Sequence, residues 1–258
     1  MPSEQFDFQS PDGHLLSGAL DLPDGEARTH AVFAHCFTCT KSSLAAVRIA
    51  RALIMRGIAV LRFDFTGLGR SGGDFADSTF SGSVHDVAAA VRSMAAVGLA
   101  PCLLIGHSLG GAAVLAAAAE LPEIKAVATI GAPFEVTHVA NLLKGGMPTL
   151  LREGEAEVDI GGRPFRIRRS FVDDLAKHDL EQRIAALKRS LLVLHSPVDT
   201  VVSIENASRI FLAAKHPKSF VSLDHADHLL SRPADAQYVA EVIAAWSSRY
   251  VALRAGSD

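Results

Sequence analysis

The chain has 258 residues, 49% of them hydrophobic and 21% charged, with a formal net charge of −3. That is the composition of an ordinary globular protein long enough to bury a large core in one or two domains. It excludes the concentrated basic excess that nucleic acid or an anionic membrane would require, so neither is expected as a partner.

In chain order, the first twenty residues predict a hairpin: "EQFDFQS", a Pro-Asp-Gly turn at Pro11 to Gly13, then "HLLSGALDLP". "HAVFAH" reads as a short buried strand and "SLAAVRIARALIMRG" as an amphipathic helix closed by Gly57. "IAVLRFD" is a further strand, followed by the Gly-rich loop "FTGLGRSGGD". "SVHDVAAAVRSMAAVG" is helical, "APCLLIGH" strand-like, "LGGAAVLAAAAELP" a helix of small residues and "IKAVATIGAP" another strand. "RSLLVLHSP" and "KSFVSLDHA" repeat the strand pattern, each followed by a helix, "IENASRIFLAA" and "ADAQYVAEVIAAWSSRY". Short apolar runs alternating with helices predict an α/β fold, a mostly parallel sheet covered on both faces.

One segment breaks the alternation. The expected core comprises residues 1–132 and 189–258, and residues 133–188 form an insertion too long for a plain loop. Within it "EAEVDIGGRPFRIRRSF" predicts a hairpin turning on Gly161-Gly162. Ala156, Val158, Ile160, Phe165 and Ile167 then share one face, with Arg163 at its end. Glu155 and Glu157 fall opposite Arg168 and Arg166, giving a charge-balanced face rather than an anion site. The insertion reads as a lid. Its Phe134, Val139, Leu142, Leu143, Met147 and Leu150 could form an apolar wall over a substrate or the lid's own core.

"GHSLGG", Gly106 to Gly111, follows a strand directly and opens a helix, which is the context G-x-S-x-G requires. The sharp turn strains Ser108 and demands small neighbours, supplied by Gly106 and Gly110. A serine hydroxyl is a poor nucleophile without a base, and the base needs a group to fix its tautomer. Asp199, in "LHSPVDTVV", and His228, in "DHADHLL", follow later strands in the order serine, acid, histidine. Loops after successive parallel strands share one rim of the sheet. Glu135 is the rival acid and His225 the rival base; Asp224 and Asp227 are expected to shape the loop. His35, His107 and His195 are expected to be hydrogen-bonded structural groups. Leu109, the residue after the nucleophile, supplies one N–H to an oxyanion, and the second belongs to an early loop, in "HCFTC".

Together "GHSLGG", the late Asp and His, and "RFDFTGLGRSGG" resemble the α/β-hydrolase superfamily across essentially the whole chain. In that family a His-Gly-Phe-like stretch forms the oxyanion loop. Here it reads "HCF", so the resemblance implies Phe37 N–H as the second donor. The insertion is similar to the lids of small carboxylesterases, including cinnamoyl-ester hydrolases. More narrowly, "FAHCFTC", "RFDFTGLG", "IGHSLGGAAVLAAA" and "RPFRIRR" resemble the hydrolase half of bacterial fusions with a C-terminal OsmC-type domain. The chain stops at "RYVALRAGSD", so it is read as either a free-standing relative of that half or a piece of such a fusion.

Cys36 and Cys39 form a Cys-x-x-Cys at the end of a strand, where a thiol–disulfide site would be sought. With Ser108, Asp199 and His228 elsewhere, the expectation is two small side chains packing a tight loop; a redox module is the alternative. The three cysteines cannot form a complete disulfide framework, which points to a reducing compartment. The N-terminus "MPSEQFDFQS" lacks the pattern of a signal peptide, and no apolar window reaches membrane-spanning length. A cytoplasmic enzyme is expected. Its predicted reaction is hydrolysis of small to medium carboxylic esters through an acyl-enzyme, with no cofactor and no metal. A thioesterase or amidase on the same residues, and a non-catalytic binding protein that keeps the fold, are the alternatives. The partner is a small-molecule ester; monomer and homodimer remain open.

Overall fold

A computed structural model describes residues 3–160 and 162–251; Gly161 of the expected turn and the terminal "ALRAGSD" lie outside the described residues. The N-terminal segment forms β1 (Ser3–Gln5), β2 (Phe8–Gln9), β3 (Leu15–Leu16) and β4 (Gly18–Asp21). Phe8 pairs with Leu16 across the turn and Ser3 with Asp21, so the single hairpin expected here is divided into two short ladders. Then follow β5 (Thr29–Ala34), α1 (Leu44–Ile54), β6 (Ile58–Phe63), α2 (Phe80–Ala96), β7 (Leu103–His107), α3 (Leu109–Ala118) and β8 (Ala126–Ile130). The insertion holds a 3-10 segment at Val136–Leu143, α4 (Met147–Glu153), β9 (Glu155–Asp159), β10 (Pro164–Arg168), α5 (Arg169–Leu175) and α6 (Leu180–Ala185). The main sheet resumes with β11 (Ser190–His195), α7 (Glu205–Ala213), β12 (Lys218–Ser222) and α8 (Pro233–Ser247).

The sheet has eight strands in the order β1-β4-β6-β5-β7-β8-β11-β12. The pairs from β6 onward are parallel, and β1 and β4 join antiparallel at one edge. β5 to β8 are apolar because both faces are covered. One apolar layer joins α1 and α8 to the sheet, the other α2, α3, α7 and the insertion. α1 shows how the pattern drives this: Ile49 and Leu53 fall one turn apart and are fully buried, contributing about 2 kcal/mol each. Its chain reverses at Gly57, whose φ of +78° favours glycine. Every residue of α3 is buried, which is why its sequence is nearly all small and apolar. No helix among the described residues is long and apolar enough to cross a membrane.

In the insertion β9 pairs with β10 in the expected register, Glu155 opposite Arg168 and Glu157 opposite Arg166. The charges are partnered differently. Arg168 reaches Glu155 at 3.7 Å and also pairs with Asp77, while Arg166 bonds Asp74 at 2.8 Å. A long arginine can pass its cross-strand neighbour, and these two fasten the hairpin to the 3-10 turn at Phe75–Asp77. A second tie lies at the start of α2, where Asp174 accepts from Ser81 N and Ser81 Oγ, both at 2.8 Å. Phe134, Val139, Leu143 and Leu150 are buried in the packing of the insertion and Leu142 is exposed. Those four residues are part of the apolar layer that this segment shares with the sheet, α2 and α3.

Candidate active site

The loops after β5, β7, β11 and β12 emerge at the carboxyl ends of parallel strands, where α/β sheets place their sites. Ser108 stands between β7 and α3 with φ +55° and ψ −124°, a conformation serine rarely adopts. The glycines around it allow the turn. A Cβ at Gly106 would lie 2.4 Å from the carbonyl oxygen of Gly110, and one at Gly110 would lie 2.3 Å from that of His35.

His228 Nε2 lies 3.0 Å from Ser108 Oγ, and His228 Nδ1 lies 2.7 Å from Asp199 Oδ2. A carboxylate only accepts, so Nδ1 carries the proton and Nε2 is free to receive one from the hydroxyl. Asp199 Oδ1 accepts from Val201 N at 2.8 Å and Val202 N at 2.9 Å. Burial pushes the Asp199 carboxyl up, but the bonds from His228 and the two peptide N–H groups outweigh it and hold the group below the usual range. It stays ionised around neutral pH. The rivals are elsewhere: Glu135 pairs with Arg209 on the surface, and His225 is exposed. Asp227 shapes the loop, accepting from Ser231 N at 2.9 Å.

The neighbouring histidines hold backbone. Burial lowers His107 to about 4, so it is neutral, and its Nε2–H donates to the His228 carbonyl at 2.7 Å. His195 donates in the same way to the Val202 carbonyl at 2.7 Å, fixing the loop that carries Asp199. His35, also lowered to about 4 by burial, donates from Nδ1 to the Cys36 carbonyl at 2.8 Å. Cys39 N donates to that same oxygen at 3.1 Å. In a trans peptide C=O and N–H point opposite ways, so anchoring Cys36 C=O aims Phe37 N–H away from those donors. Leu109 opens α3, and its N–H has no intrahelical acceptor. Phe37 and Leu109 line one cavity of about 60 Å³.

Phe37, Phe65, Phe75 and Phe171 wall that cavity, with Asp86 and Thr66 among its polar residues. Phe171 of the insertion stacks on Phe37 at 5.3 Å between centroids. Asp86 accepts from Thr66 N at 2.9 Å, and burial raises its carboxyl to about 6. The sequence carried no local sign of Phe75, Phe171 or Asp86, which reach the cavity through tertiary packing. Gly131, in "IGAP", was also missed. Its φ is +55°, and a Cβ there would lie 3.3 Å from both Asp199 Oδ2 and His228 Nδ1. Gly131→Ala is expected to strain the backbone by about 1 kcal/mol and shift the imidazole. Ester turnover should fall up to about 100-fold while the protein still folds, compared by kcat and thermal midpoint. Wild-type kcat in that variant would show that the close approach is unimportant.

In the loop after β5 the cysteines are bonded as well as packed. Cys36 and Cys39 are joined as a disulfide, Cα to Cα 5.3 Å. Cys102 is the free cysteine. Among the described residues no cluster of His, Cys, Asp and Glu could hold a metal ion.

This sheet, with a strained serine between strand and helix, is the α/β-hydrolase fold. Solved structures share it. The esterase domain of a Rhodothermus marinus protein is 50% identical, with a TM-score of 0.80 covering 97% of this chain and 99% of that one. Est1E from Butyrivibrio proteoclasticus, solved with ferulic acid bound, is 22% identical with a TM-score of 0.78 over 95% of this chain and 98% of that one. Residues 25–158, just over half of the chain, match the Hydrolase_4 family, described as serine aminopeptidase, S33, and the chain belongs to it. The human palmitoyl-protein thioesterase ABHD10, mitochondrial, is 28% identical over 202 residues, 72% of this chain. The chain spans 62% of the length of that relative.

Proposed function

We propose that the protein is a serine hydrolase that cleaves small to medium carboxylic esters through an acyl-enzyme. The observation that carries this reading is the hydrogen-bonded line from Ser108 Oγ through His228 to Asp199. Ser108 Oγ attacks the acyl carbon while His228 Nε2 takes its proton, and Asp199 stabilises the imidazolium that forms. The N–H groups of Phe37 and Leu109 receive the oxyanion. His228 then protonates the leaving alcohol, and a water activated by the same imidazole releases the acid. No step calls on a cofactor or metal.

The aromatic cavity beside the two N–H donors is the acyl pocket in this reading. Its walls of Phe37, Phe65, Phe75 and Phe171 favour a flat or apolar acyl group. The ferulic acid bound to Est1E supports an aromatic acid, and the insertion, through Phe171, acts as the lid. A second reading, thioester hydrolysis, is favoured by the identity with palmitoyl-protein thioesterase ABHD10. Thioesters need the same nucleophile and oxyanion donors. We propose a cytoplasmic compartment, where a bond between Cys36 and Cys39 would be transient rather than permanent.

Matched oxygen ester, thioester and amide substrates of one acyl group test the choice. The expected order of kcat/KM places the ester or thioester well above the amide, and a fluorophosphonate is expected to label Ser108. Failure to label, with no turnover of any of the three, would leave a non-catalytic binding protein as the reading.

A further inference from the structure

The Cys-x-x-Cys takes no part in the acyl chemistry, yet it brackets the residue whose N–H faces the oxyanion. The disulfide between Cys36 and Cys39 encloses Phe37 and Thr38. Thr38 is held at φ +60°, and its carbonyl accepts from Arg163 of the insertion. The Phe37 ring is fixed between Phe75 and Phe171. The segment is thus closed covalently at its base and clamped from above. Cys36 is 4% exposed, whereas Cys39 is only half-buried, so a reductant approaches from the Cys39 side. Cys102 lies apart, 2.7 Å from Thr29 Oγ1, with burial raising its thiol.

We propose that the Cys36–Cys39 pair is a reversible thiol–disulfide exchange site, whose oxidised form orders the loop carrying Phe37 N–H and whose reaction partner is a dithiol. A thiolate of the dithiol attacks Cys39 Sγ, the S–S bond breaks, and Cys36 leaves as a thiolate. The second thiolate of the dithiol attacks its own sulfur in the mixed disulfide and releases Cys39. The dithiol closes to a disulfide, losing two electrons; the protein gains them, and the dithiol's two protons end on Cys36 and Cys39. Oxidation reverses these steps. The effect on rate rests on the ester-hydrolase reading. Losing one oxyanion donor costs about 100- to 1,000-fold in kcat. His35, Arg163 and the Phe37 stack still restrain the reduced loop. A smaller loss is therefore expected, about tenfold, with KM changing less.

The full chain is treated with diamide or with dithiothreitol, and its thiols are counted by alkylation and mass. Nitrophenyl acetate turnover and amide exchange over residues 35–43 are then measured. Oxidised protein should show one thiol and reduced protein three. Reduction should lower kcat about tenfold, speed exchange at Phe37 to Cys39, and reverse on reoxidation. Cys39→Ser should stay at the reduced rate and ignore both reagents, while Cys102→Ser should respond like wild type. A thiol count fixed at three after oxidation would overturn the proposal. So would a verified conversion that leaves kcat and exchange unchanged, or a Cys39→Ser protein that still responds. Should neither form hydrolyse the ester, the hydrolase reading falls and amide exchange alone decides whether the bond orders the loop.

Discussion

Ser108→Ala is expected to lower the turnover of short-chain nitrophenyl esters by on the order of 1,000-fold or more, with little change in folding. The size follows from what remains. The variant keeps His228 3.0 Å from an empty place, Asp199 behind it, and the N–H groups of Phe37 and Leu109. In the proposed mechanism binding and the oxyanion donors alone retain a residual rate above that of water, so the loss is large without being total. Alanine at φ +55° inherits the same backbone conformation as serine, so the thermal midpoint should barely move. Wild-type kcat in this variant would remove Ser108 as nucleophile and the mechanism with it.

Acid should destabilise the protein between about pH 6.5 and 4, an effect centred on the buried imidazoles of His35 and His107. Burial lowers both to about 4, whereas the unfolded chain protonates them near 6.5. Within that window the unfolded state binds more protons, so stability falls as the pH falls, by about 3 kcal/mol for each group. Asp86 opposes this. Its carboxyl is raised by burial to about 6 in the fold, from an ordinary value of 3.8. The stability it contributes is full below about 4 and lost as the pH rises through about 6, a change of about 3 kcal/mol in the other direction. Two imidazoles outweigh one carboxyl, leaving a net loss of about 3 kcal/mol on acidification, a large part of a typical folding free energy. Urea midpoints from pH 7 to 4 check this, with His35→Gln and His107→Gln each flattening the curve. A wild-type curve already flat over that range would show that these rings are not held neutral by the fold.

What was legible in the chain depended on how locally each feature is determined. The turn at Ser108 could be read because Gly106 and Gly110 lie beside it and the strand and helix adjoin. Asp199 and His228 could be read because parallel strands put their following loops on one rim, whatever the side chains. His228 was separable from His225, three residues away, only by how the loop curls, with Leu230 at φ +51° and Asp227 bonded to Ser231. The hairpin register was legible from alternation, but the partner of Arg166 was not, since Asp74 comes from a turn 92 residues earlier. Phe75, Phe171, Asp86 and Gly131 carry no motif; they matter through what the fold sets beside them. Cys36 and Cys39 pack a tight loop as expected of small side chains, but their bond was not legible because sequence spacing does not report the approach of two sulfurs.

The backbone at position 108 has a wider meaning for how this chain trades firmness against use. A glycine would occupy φ +55°, ψ −124° freely, whereas serine sits there at a cost of about 1–3 kcal/mol. Judged by endurance alone, then, the natural occupant would be the residue that can do nothing. The wholly buried α3 that begins there, wedged against strands and neighbouring helices, absorbs that penalty and keeps the hydroxyl presented.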